Sequence, residues 1–398
     1  MTHMHFTVTR IRSISQRAYY VAFVLYAAFI WIPRINWPSS MLAFLPIAMD
    51  VLRIVTVLLL AFRYLFLELN VRGYILTALL AVAGFLTWNV SGESWLFWMV
   101  LFLVTAQAVD YRLLAKLNLY VSSFLLISVP LLSAISIIPN KKMVTHSGLI
   151  RFSLGFTHPN FIGLLVLLIG VSLSVVLMRE HLWVCIAVIM MLTVGNYSLS
   201  YSRSSIVISF VLVALLLIFT FVTNQRAQRI INVILVCAVV GCISLSYYSM
   251  IFYDANSEVW RAMNGMLSGR LSLAHQYYSM YSITLFGRNY STYTPFITDF
   301  AGRPVDFLVD NAYAHLLLRY GLIPTLLFLA AYLAVLIKLI RRSNSGNEVF
   351  LVLIVFAFYA LVETYGFRIV SNYMLVALAT QLLFSNSRLL KKSYYLPA

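Results

Sequence analysis

The sequence repeats one pattern along its length: an apolar run, a short polar or Pro/Gly-containing cluster, then another apolar run. Each run is roughly 15–25 residues long, enough for a helix to cross a hydrocarbon core about 30 Å thick. Runs such as Ile162 to Met178 and Ile206 to Val222 are apolar on every side. A membrane β-barrel needs short segments that alternate in polarity, so the pattern excludes one. Twelve spanning helices are predicted, at 18–33, 41–62, 73–89, 95–110, 118–138, 159–178, 182–197, 204–223, 230–251, 311–338, 348–365 and 370–386. The expected fold class is all-α: a polytopic protein forming one membrane domain over 1–398, with a single large loop at 252–310.

Composition strengthens this reading. Hydrophobic residues make up 62% of the chain, charged residues only 10%, and the mean hydropathy is +0.91, whereas soluble domains carry about 25% charged residues. The first run, Ala18 to Ile32, follows Arg10, Arg12 and Arg17 and has the outline of a signal peptide. No small-x-small cleavage site follows it, so it is expected to remain as a signal anchor. Cys185, Cys237 and Cys242 lie inside apolar runs, where a thiol behaves as a small hydrophobe, and predict neither disulfides nor a metal site.

With the N-terminus in the cytoplasm, nearly every short cytoplasmic connection carries a cation. These are Arg10, Arg12 and Arg17, then Arg63 and Arg72, Arg112 and Lys116, Arg179, Arg226 and Arg229, Lys338 with Arg341 and Arg342, and Arg388 with Lys391 and Lys392. The positive-inside rule favours that orientation, which leaves both termini cytoplasmic. The net charge of +16 is spread over many loops and makes no stripe on a soluble domain. Membrane lipids explain it better than nucleic acid does. The same rule should deplete cations on the outer side, yet Arg151, Arg203, Arg270, Arg288, Arg303, Arg319 and Arg368 sit in or beside outer connections. An anionic partner on that face is the natural explanation.

Two outer connections are long, Pro139 to His158 and Phe252 to Val309. A loop as long as the second is usually functional. Within it, Leu271 to Leu285 reads as an amphipathic helix lying at the membrane surface, with Tyr277, Tyr278 and Tyr281 at the interface.

Several polar groups on apolar helices are candidates for chemistry, each with a plainer reading beside it. Arg203 opens an apolar span after hydroxyl-rich Ser200-Tyr201-Ser202; it is a phosphate clamp or an arginine snorkelling to the interface. In Arg151 to Phe161, Thr157 and Pro159 suit a helix start. That is capping alone, or a helix N-terminus whose free amides, flanked by Arg151 and His158, attract a phosphate. Asn311, His315 and Arg319 are spaced by four on an apolar helix, with Asp310 at its rim. Such a stripe is a polar seam between helices or the wall of a reaction cavity. Thr364, Arg368 and Asn372 repeat that spacing, and Glu363 suits an ion pair with a neighbouring arginine; Asp50 and Arg53 suit an intrahelical pair.

No Gly-rich phosphate loop, zinc-ligand spacing or nucleophile elbow is present in the sequence. Asp306 and Asp310 would share a helical face only if that helix began early, so neither a metal nor another cofactor is expected.

Four segments, in this layout, resemble the bacterial O-antigen and capsular polysaccharide polymerases of Wzy type and, more distantly, the O-antigen ligases. They are Arg151 with Gly155-Phe156-Thr157-His158-Pro159-Asn160, Ser202-Arg203-Ser204, Gly269-Arg270 with Phe286-Gly287, and Asp310-Asn311 through Gly321. The resemblance implies a GT-C-like fold in the bacterial plasma membrane, its site facing outward. It also implies a reaction in which a growing glycan leaves undecaprenyl diphosphate for the terminal sugar of an incoming lipid-linked repeat unit, with inversion and without metal. A flippase and a chain-length regulator would be partners.

Carried over by position, Arg203 and Arg270 come first as diphosphate contacts, then Arg151 and Arg319, with Arg288. Asp310 is the favoured base ahead of His315 and His158, with Asn160, Asn311 and Tyr313 in support. Asp310-Asn311 stands where related ligases carry His-Asn, a departure that leaves the base open. A ligase joining finished chains is the nearest alternative, and a non-enzymatic transporter of lipid-linked oligosaccharides another, though no inverted repeat is visible.

Overall fold

The computed structural model describes residues 2–144, 148–290, 293–298, 304–306, 309–341 and 347–384; Arg303, Arg342, Arg388, Lys391 and Lys392 lie outside them. The chain is mostly helical. In order come α1 (Thr2–Trp31), α2 (Leu45–Leu65), α3 (Val71–Ser91), α4 (Trp95–Val104), α5 (Tyr111–Ala134) and a small antiparallel hairpin, β1 (Lys142–Val144) with β2 (Ile150–Phe152). Then follow α6 (Asn160–Leu177), α7 (Leu182–Leu199), α8 (Arg203–Phe221), α9 (Gln225–Phe252), α10 (Glu258–Met266) and α11 (Arg270–Met280). A second strand pair, β3 (Tyr293–Thr298) with β4 (Pro304–Asp306), precedes α12 (Ala312–His315), α13 (Leu322–Arg341), α14 (Asn347–Tyr359) and the short α15 (Val376–Leu378).

Among the described helices, α2, α3, α5, α6, α7, α8, α9 and α13 are long and apolar enough to cross a membrane. Shorter apolar helices run over Trp95–Val104, Glu348–Ala360 and Tyr373–Leu383. This is a membrane-embedded helical protein. Asn70, Asp110 and Asn224 cap α3, α5 and α9 by accepting from first-turn amides that would otherwise be unpaired.

Packing ranks the helices. Over its apolar window α6 is 72% buried, whereas α3 and α9 are 11% buried and expose Leu79, Phe85, Ile230 and Ile234. Apolar side chains on that scale suit lipid as solvent. The apolar residues Phe350 to Ala357 of α14 are buried on all sides, so α6 and α14 form the centre.

Hydrogen bonds show which connections meet. At one end Asn36 reaches Pro139 and Gly155, Thr157 reaches Arg34, Arg151 reaches Ser200, and Arg270 reaches Val362. At the other, Gln16 reaches Ala108, Arg63 reaches Gln107, and Arg179 meets Glu348.

The structure revises several sequence expectations. The surface helix predicted at Leu271 to Leu285 is α11, which ends at Met280 and does not lie free on the interface. Its Leu273, Ala274 and Tyr277 are buried against Met250, Val309, Ala314 and Leu317, so protein already covers the apolar face. The span predicted at 311–338 is broken: four residues of α12 pass into a π-helical turn, Leu316–Tyr320, and the backbone restarts after Gly321. Thr364, Arg368 and Asn372 share no helical face, because Thr364–Phe367 is a single tight turn and the chain is irregular until Tyr373. Asp306 lies in β4 and the helix starts only at Ala312, so Asp306 and Asp310 do not share a face either. Asp50 and Arg53 do pair, at 3.4 Å.

Candidate functional site

Six arginines, each from a different connection or helix start, gather at one end of the bundle: Arg34, Arg151, Arg203, Arg270, Arg319 and Arg368. Three carboxylates stand among them, Glu93, Asp310 and Glu363. The group divides into two clusters joined through the Coulombic reach of Asp310 toward Arg270, His315 and Arg368.

The first cluster forms where α6, α8 and α11 begin. Gly163 on α6 is required by close approach, since a Cβ there would lie 2.4 Å from Ser202 Cβ. That contact seats the start of α8 against α6 and brings the Ser200 carbonyl to Arg151, whose Nε donates to it at 2.8 Å. Arg151 Nη2 donates to Asn160 Oδ1 at 2.6 Å, and Asn160 Nδ2 donates to Glu363 Oε1 at 3.3 Å. Arg270, the first residue of α11, is buried; its Nη2 lies 2.9 Å from Glu363 Oε1 and 3.5 Å from Asp310 Oδ2, and its Nε donates to the Val362 carbonyl. Arg203 is exposed, stacks over the Tyr201 ring at 5.1 Å, and has no hydrogen-bond or ion-pair partner among the described residues.

The second cluster centres on Glu93, in the connection between α3 and α4. Its Oε2 accepts from His315 Nε2 at 2.8 Å and lies 3.8 Å from Arg319 Nε; its Oε1 lies 3.3 Å from Arg368 Nη2. Arg319 is held independently by Tyr290 O at 2.7 Å, by Asn289 Oδ1 at 3.0 Å and by the Tyr290 ring at 4.7 Å. Arg368 and Arg34 both stack on Tyr365, at 4.7 and 5.5 Å.

Two glycines make this arrangement possible. Gly287 (φ +89°) and Gly321 (φ +86°) pass so closely that a Cβ on Gly321 would lie 2.2 Å from Gly287 N, and one on Gly287 2.4 Å from Arg319 O. Any side chain there meets both strain and backbone. The crossing is tied by Arg288 N to Arg319 O at 3.1 Å, Leu322 N to Thr284 O at 2.8 Å and Ile323 N to Leu285 O at 3.0 Å.

Electrostatics differ between the clusters. Burial raises Asp310, against the pull of Arg270. Burial also raises Glu363, and Asp310 raises it further. Two carboxyls sharing one guanidinium in a desolvated place do not both ionise readily, so the pair keeps a proton above the ordinary carboxylate range. Glu93 goes the other way: burial would push it up, but His315, Arg368 and Arg319 outweigh burial and hold it at about 2. Burial, then the charge of Arg151, lowers His158 to about 4.

The sequence-derived candidates fall into three groups. Arg203, Arg270, Arg151, Arg319, Asp310, His315 and Asn160 come together here. His158 is adjacent, but its Nδ1 accepts from Asn160 N at 3.1 Å, which places the proton of the neutral ring on Nε2 and makes that nitrogen a donor. The anion site expected at the start of α6 is corrected by the same bond. With Phe161 N bonded to His158 O and Ile162 N to Pro159 O, its first amides are already used, and Thr157 is not the cap.

The remaining candidates point elsewhere. Asn311 caps α12 and donates to Ser246 Oγ at 3.0 Å, and the Tyr313 hydroxyl donates to Ala357 O at 2.8 Å within the core. Arg288 reaches Ser282 Oγ at 3.4 Å, away from both clusters. Glu363 pairs with Arg270, 93 positions earlier, and not with its neighbour Arg368.

Glu93 and Arg34 were not singled out in the sequence. Glu93 was detectable as a lone acid between two apolar runs, Gly92-Glu93-Ser94. Among the described residues no group of three His, Cys, Asp or Glu side chains suits a metal ion.

Fold and site together define a class: a helical membrane protein with a partly buried, arginine-rich cluster at one end of its bundle. Compared with family models, curated proteins and solved structures, the chain matches none of them.

Proposed function

We propose that the chain is a glycosyltransferase that polymerises polysaccharide repeat units carried on a polyprenyl diphosphate, such as undecaprenyl diphosphate, at the outer face of a bacterial plasma membrane. In this reading the eight long helices, the three shorter apolar ones and α1 make twelve crossings. The positive-inside bias then puts both termini in the cytoplasm and the arginine cluster outside.

One observation carries the proposal. Six arginines, from buried Arg270 and Arg319 to exposed Arg203, converge with only three carboxylates, two of which do not both ionise readily. Positive charge in such excess calls for an anion, and a diphosphate leaving group supplies one. Arg203, whose guanidinium stacks on Tyr201 and has no hydrogen-bond or ion-pair partner among the described residues, and Arg151 beside it are the diphosphate contacts. Arg270 is the link between that seat and the carboxyl pair.

The reaction is a displacement at the anomeric carbon of the growing chain. The acceptor hydroxyl oxygen forms the new glycosidic bond, the bond from C1 to the diphosphate oxygen breaks, and the hydroxyl proton passes to the Asp310–Glu363 pair. The developing phosphate charge is met by arginine. A carboxyl with a raised pKa is the stronger base for a hydroxyl at neutral pH, which favours this pair over His158.

The test is turnover of purified, reconstituted protein on lipid-linked repeat units. A ladder of repeat-unit multiples is the polymerase product; joining of preformed chains without lengthening indicates a ligase, and movement of substrate without a new bond a transporter. Absence of a ladder from well-inserted protein supplied with its native repeat unit overturns the proposal.

A further inference from the structure

The geometry around Glu93 points to a resident counter-ion: we propose that its carboxylate holds a seat, formed by His315, Arg319 and Arg368, that also fits a diphosphate, and that a substrate's phosphate competes with it there. The inference rests on the function proposed above only for where that diphosphate comes from.

Donors outnumber acceptors in this cluster. Two carboxylate oxygens face the His315 imidazole and two guanidinium groups at 2.8, 3.3 and 3.8 Å. Arg319 Nε and Arg368 Nε are buried without a hydrogen-bond partner. Unpaired donors in such a place are costly, and a carboxylate cannot satisfy them all. A diphosphate offers more oxygens and at least one more negative charge, and Arg is the side chain best shaped to meet it.

The cationic side of the seat would persist without Glu93. Arg319 is fixed by Tyr290 and Asn289, Arg368 by the Tyr365 ring, and the backbone of Arg319 by the crossing of Gly287 and Gly321. Glu93 itself hangs from a three-residue connection between α3 and α4, and its side chain is 24% exposed, against 2% for His315. It is therefore the member best able to turn away. Its main chain is anchored by the Tyr320 hydroxyl, at 3.2 Å from Glu93 O, so the turn is one of side-chain torsions.

A residue that merely braces the fold and one that competes with an anion predict opposite changes on neutralisation. Binding of inorganic pyrophosphate and of a polyprenyl diphosphate is measured by titration calorimetry on the full chain in lipid nanodiscs, for wild type, Glu93→Gln and Arg368→Gln. Competition predicts affinity about tenfold tighter in Glu93→Gln, and at least tenfold weaker in Arg368→Gln. Tightening with both ligands assigns the seat to a diphosphate as such; tightening with the prenyl form alone assigns it to a lipid headgroup.

Unchanged or weaker binding in a folded Glu93→Gln overturns the inference. If that variant does not fold, Arg368→Gln decides: weakened binding supports the seat and unchanged binding removes it. The assay needs no turnover. Tighter binding without any polymer ladder in wild type therefore leaves this inference standing while the proposed reaction falls, and a ladder without tightening does the reverse.

Discussion

The two ends of the bundle use the same side chains to different purposes. At one end Arg12, Arg112 and Arg179 each pair with a single carboxylate, Glu68, Glu180 and Glu348, with arginine side chains 41–64% exposed, while buried Arg63 is held by neutral groups, Ser15 Oγ and the Gln107 carbonyl. At the other, Arg270, Arg319 and Arg368 are 10–12% exposed and share Glu93, Asp310 and Glu363 in one connected group. Exposed pairs of the first kind contribute roughly 0–1 kcal/mol each. Buried charge of the second kind is expensive unless its partners are right. A fold tolerates that cost where function requires it, and the lesson is that how the arginines are partnered, more than their count, sets the end proposed as functional apart.

The comparison can be broken experimentally, beginning with the largest effect. Asp310→Asn preserves shape but removes a proton acceptor, and is expected to lower kcat by about 10²–10⁴ in protein that still inserts and folds. Turnover within a few-fold of wild type would remove Asp310 from the reaction. Next, Arg203→Gln is expected to cost about 1.5–3 kcal/mol in kcat/KM, one charge-assisted contact to phosphate, with little loss of stability, because its exposed guanidinium makes no hydrogen bond or ion pair among the described residues beyond its stacking on Tyr201. An unchanged kcat/KM would assign Arg203 to the interface alone.

The third test is pH. A base must be ionised to accept a proton, so a carboxyl raised by burial loses activity on acidification earlier than an ordinary one. The acid limb of kcat/KM is expected to lie above the ordinary aspartate range near 3.9, and a limb at or below that range would count against the Asp310–Glu363 pair. The smallest effect belongs to the opposite end: Arg179→Gln, which removes an exposed pair with Glu348, should cost about 0.2–1 kcal/mol of stability and leave turnover unchanged.

Long apolar runs made the helices legible in the sequence, because periodicity and length alone decide them. The irregular backbone was not legible. A spacing of four suggested one helical face for Asn311, His315 and Arg319, but Asn311 is the extended cap of α12 and turns to Ser246. His315 and Arg319 still meet the same Glu93 across the π-helical turn between them. Arg151, Arg203, Arg270 and Arg319 stood out as cations where the orientation rule disfavours them. Their pairings did not, since Glu93 and Glu363 lie more than ninety positions from the residues they pair with, and such pairing has no local signature. The amphipathic reading of α11 failed for a related reason: apolar spacing marks a face that must be covered, without saying whether lipid or protein covers it.

The crossing of Gly287 over Gly321 has a mechanical consequence. The middle of the large loop and the first turn of α13 are sewn together by main-chain bonds, so neither slides without the other. In any rearrangement of this end Arg319 travels with α13 as one rigid piece, and the freedom to move falls to the side where Arg203 stands uncommitted.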